Sequence, residues 1–142
     1  MAELAKNTRV TVIPTMRYRD AKGAIEFLCN VFGFDKQAVY DGPDGSVAHA
    51  QLTFGDGMIM LSSHPNQGEY GKWVQPPATK DSVNTHGIYV VVSDCDAHYA
   101  RAKEGGAEIL RLPVDQDYGG RDYTARDCEG YIWTFGTYDP WR

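Results

Sequence analysis

Few side chains in this 142-residue chain can do chemistry near neutral pH, and they fall in short, separated runs. His49 and Gln51 stand two apart in His49-Ala-Gln51-Leu-Thr-Phe54, so on an extended strand they share a face. An imidazole titrates near neutrality, which suits His49 to general-base work. The alternative is a hydrogen-bonding histidine without catalytic duty, since no neighbour in the sequence marks His49 as activated. Arg17 and Arg121 can each grip a carboxylate-bearing ligand through paired N–H groups. Equally, each can pair with a protein acid such as Asp117 or Asp122 and orient a loop. Trp73 either closes over a ligand as an aromatic lid, makes a dimer contact or anchors its own segment. Cys29, Cys95 and Cys128 lie far apart with no CxxC pair, so they read as reduced thiols rather than a disulfide framework or a zinc site.

These residues must be held by strands and turns that the sequence marks clearly. The most informative run is Tyr118-Gly-Gly-Arg121-Asp-Tyr-Thr-Ala-Arg-Asp127-Cys-Glu-Gly130-Tyr-Ile-Trp133-Thr-Phe135. Residues 121–126 and 131–135 are rich in aromatic and β-branched types, as strands prefer, and Asp127 to Gly130 is turn chemistry. A weaker copy lies earlier, where strands over 46–54 and 58–62 flank Gly55-Asp56-Gly57. A first strand is expected over 10–18, with Pro14 arguing for an edge position because it lacks an N–H. Asp20 caps a helix over 21–32, whose stripe is Ile25, Leu28 and Phe32, and Gly33 closes it. A short strand over 36–40 precedes the 46–54 strand. Residues 63–85 carry Pro65, Gly68, Gly71, Pro76 and Pro77 without periodicity and read as a linker or lid. The order then repeats: a strand over 87–92, a cap at Ser93 or Asp94, a helix over 96–104, a strand over 108–112 and the hairpin. An offset of about 74 residues relates Asp20 to Asp94 and Met60 to Thr134. The chain therefore reads as one domain over 1–142, with module one near 10–62, a linker over 63–85 and module two near 86–137.

Composition bounds the function. The chain is 42% hydrophobic and 23% charged, with a net charge of −5, an ordinary globular balance that disfavours a nucleic-acid or anionic-membrane surface. No apolar run approaches a membrane span, and the first residues lack the apolar centre of a secretory signal. A cytoplasmic protein is expected.

Two β-α-β-β-β modules with these motifs resemble the vicinal oxygen chelate superfamily, which includes glyoxalase I, extradiol dioxygenases and bleomycin-resistance proteins. The PhnB-like branch is the one most resembled. The residues that carry the likeness are Tyr18-Arg-Asp20-Ala, His49-Ala-Gln-Leu, Gly57-Met-Ile-Met-Leu-Ser62, Tyr118-Gly-Gly-Arg121 and Asp127-Cys-Glu-Gly130-Tyr-Ile-Trp133-Thr-Phe-Gly136. The resemblance implies an α+β fold with a cupped, mixed eight-stranded sheet, helices on its outside and a cleft inside. It also implies a homodimer. Metal-dependent members place ligands at positions that correspond here to Ile13, Met60, Gly87 and Thr134. Ile13 and Gly87 offer no donor, Met60 a thioether and Thr134 a hydroxyl, whereas divalent ions of this chemistry need carboxylate or imidazole. No cofactor or metal is therefore expected. A displaced metal reached by His86 or His49 stays open as the alternative.

Those four positions mark the cleft face. If Gly55-Asp56 is a two-residue loop, Gln51 faces Met60 and His49 faces Ser62. If Cys128-Glu129 is another, Tyr123 faces Thr134 and Arg121 faces Gly136. The expected ligand-binding set is then Thr15, Arg17, His49, Gln51, Met60, Tyr89, Arg121 and Tyr123, with Trp73 from the linker, and His49 as the candidate catalytic group. The expected function is metal-free binding of a small anionic or aromatic molecule, as in bleomycin-resistance proteins. The alternative is a lyase, isomerase or dioxygenase using a displaced metal or acid–base chemistry through His49.

Overall fold

In the computed structural model, which describes residues 3, 5, 7–66 and 68–142, the chain divides into two compact units. One takes residues up to Cys29 with Gly33–Pro76, and the other Asn30–Phe32 with Pro77–Arg142. The stretch expected as a linker is thus shared: its part up to Pro76 belongs to the first unit and the rest to the second. Each unit holds one four-stranded mixed sheet, and the fold is α+β. No helix among the described residues is long and apolar enough to cross a membrane.

The first unit runs β1 (Thr15–Tyr18), α1 (Ala21–Phe27), β2 (Asp35–Asp41), β3 (Val47–Phe54) and β4 (Gly57–Ser63). Its sheet order is β1-β4-β3-β2, with β1 parallel to β4 and the other pairs antiparallel. β1 starts later than the expected residue 10. Pro14 has no N–H to give the ladder; its carbonyl instead accepts the Met60 N–H at 2.9 Å. The helix begins as expected, with the Asp20 carboxylate accepting the Gly23 N–H at 3.0 Å. It ends earlier, passing at Leu28–Phe32 into a wider π turn that Gly33 closes at φ 89°. Ala24, Ile25 and Leu28 of this unit are buried with Met16, Tyr18, Leu52, Ile59 and Leu61. The Gly55-Asp56 turn has the expected two-residue geometry, and the register pairs Phe54 with Gly57 and Gln51 with Met60.

The second unit runs β5 (Ile88–Val91), α2 (Cys95–Glu104), β6 (Glu108–Asp115), β7 (Arg121–Arg126) and β8 (Ile132–Gly136), in the order β5-β8-β7-β6. Asp94 rather than Ser93 caps α2, accepting the Ala97 N–H at 3.0 Å. The hairpin register differs from expectation by one residue: Thr124 faces Thr134, Tyr123 faces Phe135 and Asp122 faces Gly136. The cause is Asp127. Its Oδ1 accepts the N–H groups of Glu129 and Tyr131 at 3.0 Å each, and its Oδ2 accepts the Trp133 indole N–H at 3.1 Å. Binding those donors opens the turn to five residues between the last paired positions, Arg126 and Ile132. One residue of slip exchanges the faces of a strand.

Tyr123, Trp133 and Phe135 consequently form the core of this unit, each 0% exposed. His98 from α2 stacks on Phe135 with ring centroids 4.1 Å apart. Its Nε2 lies 2.8 Å from the Phe32 carbonyl, so that nitrogen carries the proton, and the Tyr123 hydroxyl donates to Nδ1. Burial, with the nearby Arg101 charge, lowers the His98 pKa from 6.5, while burial raises that of Tyr123. A depressed histidine leaves the folded state holding fewer protons than the unfolded chain below pH 6.5. Stability contributed by neutral His98 is therefore complete above about pH 6.5 and is lost as pH falls towards the lowered folded-state value. Melting curves from pH 8 to pH 5 should show this loss, and His98→Gln should flatten it. An unchanged slope in the variant would assign the loss to other groups.

Candidate functional site

On β1 and β4 the parallel register places Thr15 beside Met60 and Arg17 beside Ser62. Alternation puts these four on one face and sends Met16 and Leu61 to the core, where they are 4% and 2% exposed. β3 adds His49 to the first face. The result is a cavity of about 220 Å³ in the first unit, lined by Thr15, Met16, Arg17, His49, Met60, Leu61, Ser62 and Tyr70.

Arg17 is the charged group of this cavity and is only 8% exposed. Its Nη1 donates to the Ser63 carbonyl at 3.3 Å, and its guanidinium lies 5.1 Å from the centroid of the Tyr70 ring. Such a cation over an aromatic face is held by the ring quadrupole. Tyr70 rides on a short 3-10 turn, Glu69–Lys72, and its hydroxyl is 2.5 Å from Thr15 Oγ1. Trp73, which follows the turn, meets Tyr70 edge to face with ring centroids 6.5 Å apart, but is 72% exposed and does not line the cavity.

His49 is held from the side. Its Nε2 lies 2.8 Å from Gln51 Oε1, and Gln51 Nε2 donates onward to Gln37 Oε1. An amide oxygen accepts only, so Nε2 is a protonated nitrogen and donates to it. The Tyr40 ring stacks on the imidazole at 6.2 Å. Gln51 bonds His49 and is not in the cavity wall.

Three expected ligand-binding residues belong to the second unit. Tyr89 lies beside Thr134 in register, and its hydroxyl donates to the Tyr138 carbonyl at 2.8 Å. Tyr123 and Arg121 require correction. The one-residue difference at Asp127 turns both away from the face of Thr124 and Thr134: Tyr123 goes into the core against His98, and Arg121 bonds Asp96 at 2.9 Å and Asp115 at 3.2 Å. Neither acid is one named from the sequence. Asp122 instead binds Arg111 at 2.6 Å. On the Thr134 face stand Asp122 and Thr124, whose hydroxyl is 2.8 Å from that of Thr134.

Tyr70 and Ser62 were not among the expected ligand-binding residues. Ser62 was legible as the partner opposite His49. Tyr70 sits in an aperiodic, polar stretch, where its only signal was being an aromatic close to a second aromatic.

The donor set does not fit a metal of the superfamily type. Ile13 and Gly87 have no donor atom, the Met60 thioether is a soft ligand, and the Thr134 hydroxyl is shared with Thr124. Among the described residues no three His, Cys, Asp or Glu side chains lie together as a metal site requires. His86 is exposed.

Residues 10–135 match the family described as the Glyoxalase/Bleomycin resistance protein/Dioxygenase superfamily. An uncharacterized protein of Mycobacterium bovis is 30% identical over 133 residues, 94% of this chain and 86% of that protein. TioX from Micromonospora sp. ML1 superposes with a TM-score of 0.68 at 29% identity, covering 89% of this chain and 94% of that one. The fosfomycin resistance protein FosX from Mesorhizobium loti shares the fold at a TM-score of 0.66 and 16% identity, over 92% and 93% of the two chains. With its motifs, its two mixed sheets and this match over most of its length, the chain belongs to the Glyoxalase/Bleomycin resistance protein/Dioxygenase superfamily.

Proposed function

We propose that this chain is a single-domain, small-molecule-binding protein of the bleomycin-resistance type, in the PhnB-like branch, working in the cytoplasm as a homodimer and without a catalytic metal. The observation that carries the reading is the first unit's cavity, where a guanidinium 8% exposed lies among a thioether, an aromatic ring and hydroxyls. Small-molecule sites commonly combine apolar walls with a few placed polar groups. The Ile13, Met60, Gly87 and Thr134 set supports binding without metal, because sequestration needs shape and charge but no Lewis acid.

The test has two arms. Metal content is measured on protein purified without a nickel column, followed by add-back of nickel, zinc, manganese and iron. In parallel, a library of carboxylates and aromatic antibiotics is screened by thermal shift, and hits are followed by NMR for chemical change. The expected result is no stoichiometric metal, indifference to added ions and at least one saturable ligand recovered unchanged. A site filled to a hundred times Kd contributes about 2.7 kcal/mol, a shift the assay resolves. Bound metal at one per chain, or turnover of a hit, overturns the binding reading.

The second reading is acid–base catalysis. It rests on the Gln37–Gln51–His49 chain of hydrogen bonds, which fixes the protonated nitrogen of a cavity histidine. It predicts that a hit is turned over and that His49→Ala abolishes the turnover while the protein stays folded.

A further inference from the structure

The first unit's cavity is polar at one end and apolar at the other, and the sheet register sets the two ends apart. Arg17 pairs with Ser62, and Tyr40 pairs with His49. One step beyond the Ala50–Leu61 pair, His49 stands opposite Ser62. Arg17, Ser62, His49 and Tyr40 thus form one row across the sheet, with neighbouring backbones about 4.8 Å apart. Ser62 has the shortest side chain of the row. It is the floor of a notch with a guanidinium on one side and an imidazole on the other. The next row on the same face is Thr15, Met60 and Gln51, and it carries no charge. Met60 and Ser62 are two residues apart on β4, about 7 Å along the strand.

Resting on the small-molecule reading above, we propose that this cavity takes a monocarboxylate bearing one aromatic ring, its carboxylate over Ser62 between Arg17 and His49 and its ring over Met60. The charged row fixes the head. A guanidinium suits a carboxylate in charge and shape, the Ser62 hydroxyl can donate, and an imidazole can carry a second positive charge near neutral pH. The polar groups stand in a line, because the Thr15 hydroxyl of the next row is bonded to Tyr70. A flat head with two oxygens lies along such a line, whereas a tetrahedral head needs donors on a third side. The neutral row fixes the body. A thioether and an aromatic wall, Met60 and Tyr70, both make favourable contacts with a ring. Size agrees. With Tyr70 in place the cavity measures about 220 Å³, and an apolar cavity of about 150 Å³ takes a benzene ring. Ser62 and Met60 are then the specificity-determining residues, one for the head and one for the body.

The test measures binding of phenylacetate, phenylethanol, phenyl phosphate and naphthylacetate to the full chain by calorimetry. Phenylacetate should bind the native chain most tightly, with roughly a tenfold loss when the alcohol replaces the charged head. In Met60→Ala the space under the ring grows. Naphthylacetate should then overtake phenylacetate, a change of roughly tenfold in their ratio, while the preference for acid over alcohol stays. In Ser62→Leu the notch is filled. The preference for acid over alcohol should fall, while the preference for the smaller ring stays. Ser62→Val, β-branched and suited to a strand, carries the same comparison if melting curves show that the leucine variant fails to fold. The proposal is overturned if the alcohol or the phosphate binds the native chain as tightly as phenylacetate. It is equally overturned if Met60→Ala leaves the ring-size preference unchanged, or if the Ser62 variants keep the full preference for acid. Failure of phenylacetate to bind any form overturns this ligand class alone, since the cavity reading is judged by the wider library.

Discussion

Arg17→Met will remove affinity for a carboxylate ligand of the first unit's cavity while leaving the fold intact. The loss should be about 2–5 kcal/mol, the range for truncating one partner of a desolvated, hydrogen-bonded charge pair. The melting temperature should stay level or rise. Arg17 is a mostly buried charge whose contacts include the Ser63 carbonyl at 3.3 Å and the Tyr70 ring face, and replacing buried charge by an apolar residue of similar length is often neutral or stabilising. Methionine keeps the aliphatic stem against Tyr70. Arg17→Lys should fall between the two, because an ammonium keeps the charge but not the planar fork. Calorimetry and melting curves on the same preparations check the split. A joint fall in affinity and stability would make Arg17 a structural residue.

The largest stability effect is expected at Asp127. This carboxylate is 5% exposed and accepts two turn N–H groups and the buried Trp133 indole N–H. A buried donor left without a partner costs about 1–3 kcal/mol, so Asp127→Ala should lose about 3–5 kcal/mol. That is a large share of the roughly 5–15 kcal/mol that holds a domain of this size folded. Asp127→Asn retains an acceptor oxygen for the turn but sets an amide N–H₂ or a shared oxygen against the indole, and should lose less. Urea unfolding followed by tryptophan emission measures both. A loss under about 1 kcal/mol in the alanine variant would mean that backbone contacts alone hold the turn.

The same residue explains where the sequence could and could not be read. The helix starts were legible because Asp20 and Asp94 are short acids before amphipathic runs, and the side chain itself makes the cap bond. The first hairpin was legible because the Gly55-Asp56 turn keeps its two-residue geometry, the Asp56 carboxylate lying 3.9 Å from Arg9 rather than binding the turn's N–H groups. Asp127-Cys-Glu-Gly130 has equally good composition for a two-residue loop. The bonds of Asp127 to the Glu129 and Tyr131 N–H groups and to the Trp133 indole, six residues on, select the longer turn, and composition alone does not reveal them. Arg121 and Tyr123 were misplaced for this reason alone. Thr15, Arg17, His49 and Met60 were placed on one face because their strands needed no such decision. Tyr70 escaped because no periodicity constrains an irregular loop.

The two units also differ in what fills the position of Thr15. In the second unit that position is Tyr89, opposite Thr134, and Gly136 stands where the first unit has Ser62. A β-carbon at Gly136 would lie 2.6 Å from the Tyr89 hydroxyl, so the missing side chain is the space the phenol uses. The Tyr89 hydroxyl is tied to the Tyr138 carbonyl, and its ring grows from the strand itself, whereas Tyr70 hangs from a loop. The first half therefore keeps a space that Thr15, Arg17 and His49 line, and the second fills the matching place with a ring built into its own wall. Titration of the chain with its ligand should saturate at one molecule per polypeptide, despite the internal duplication that would suggest two.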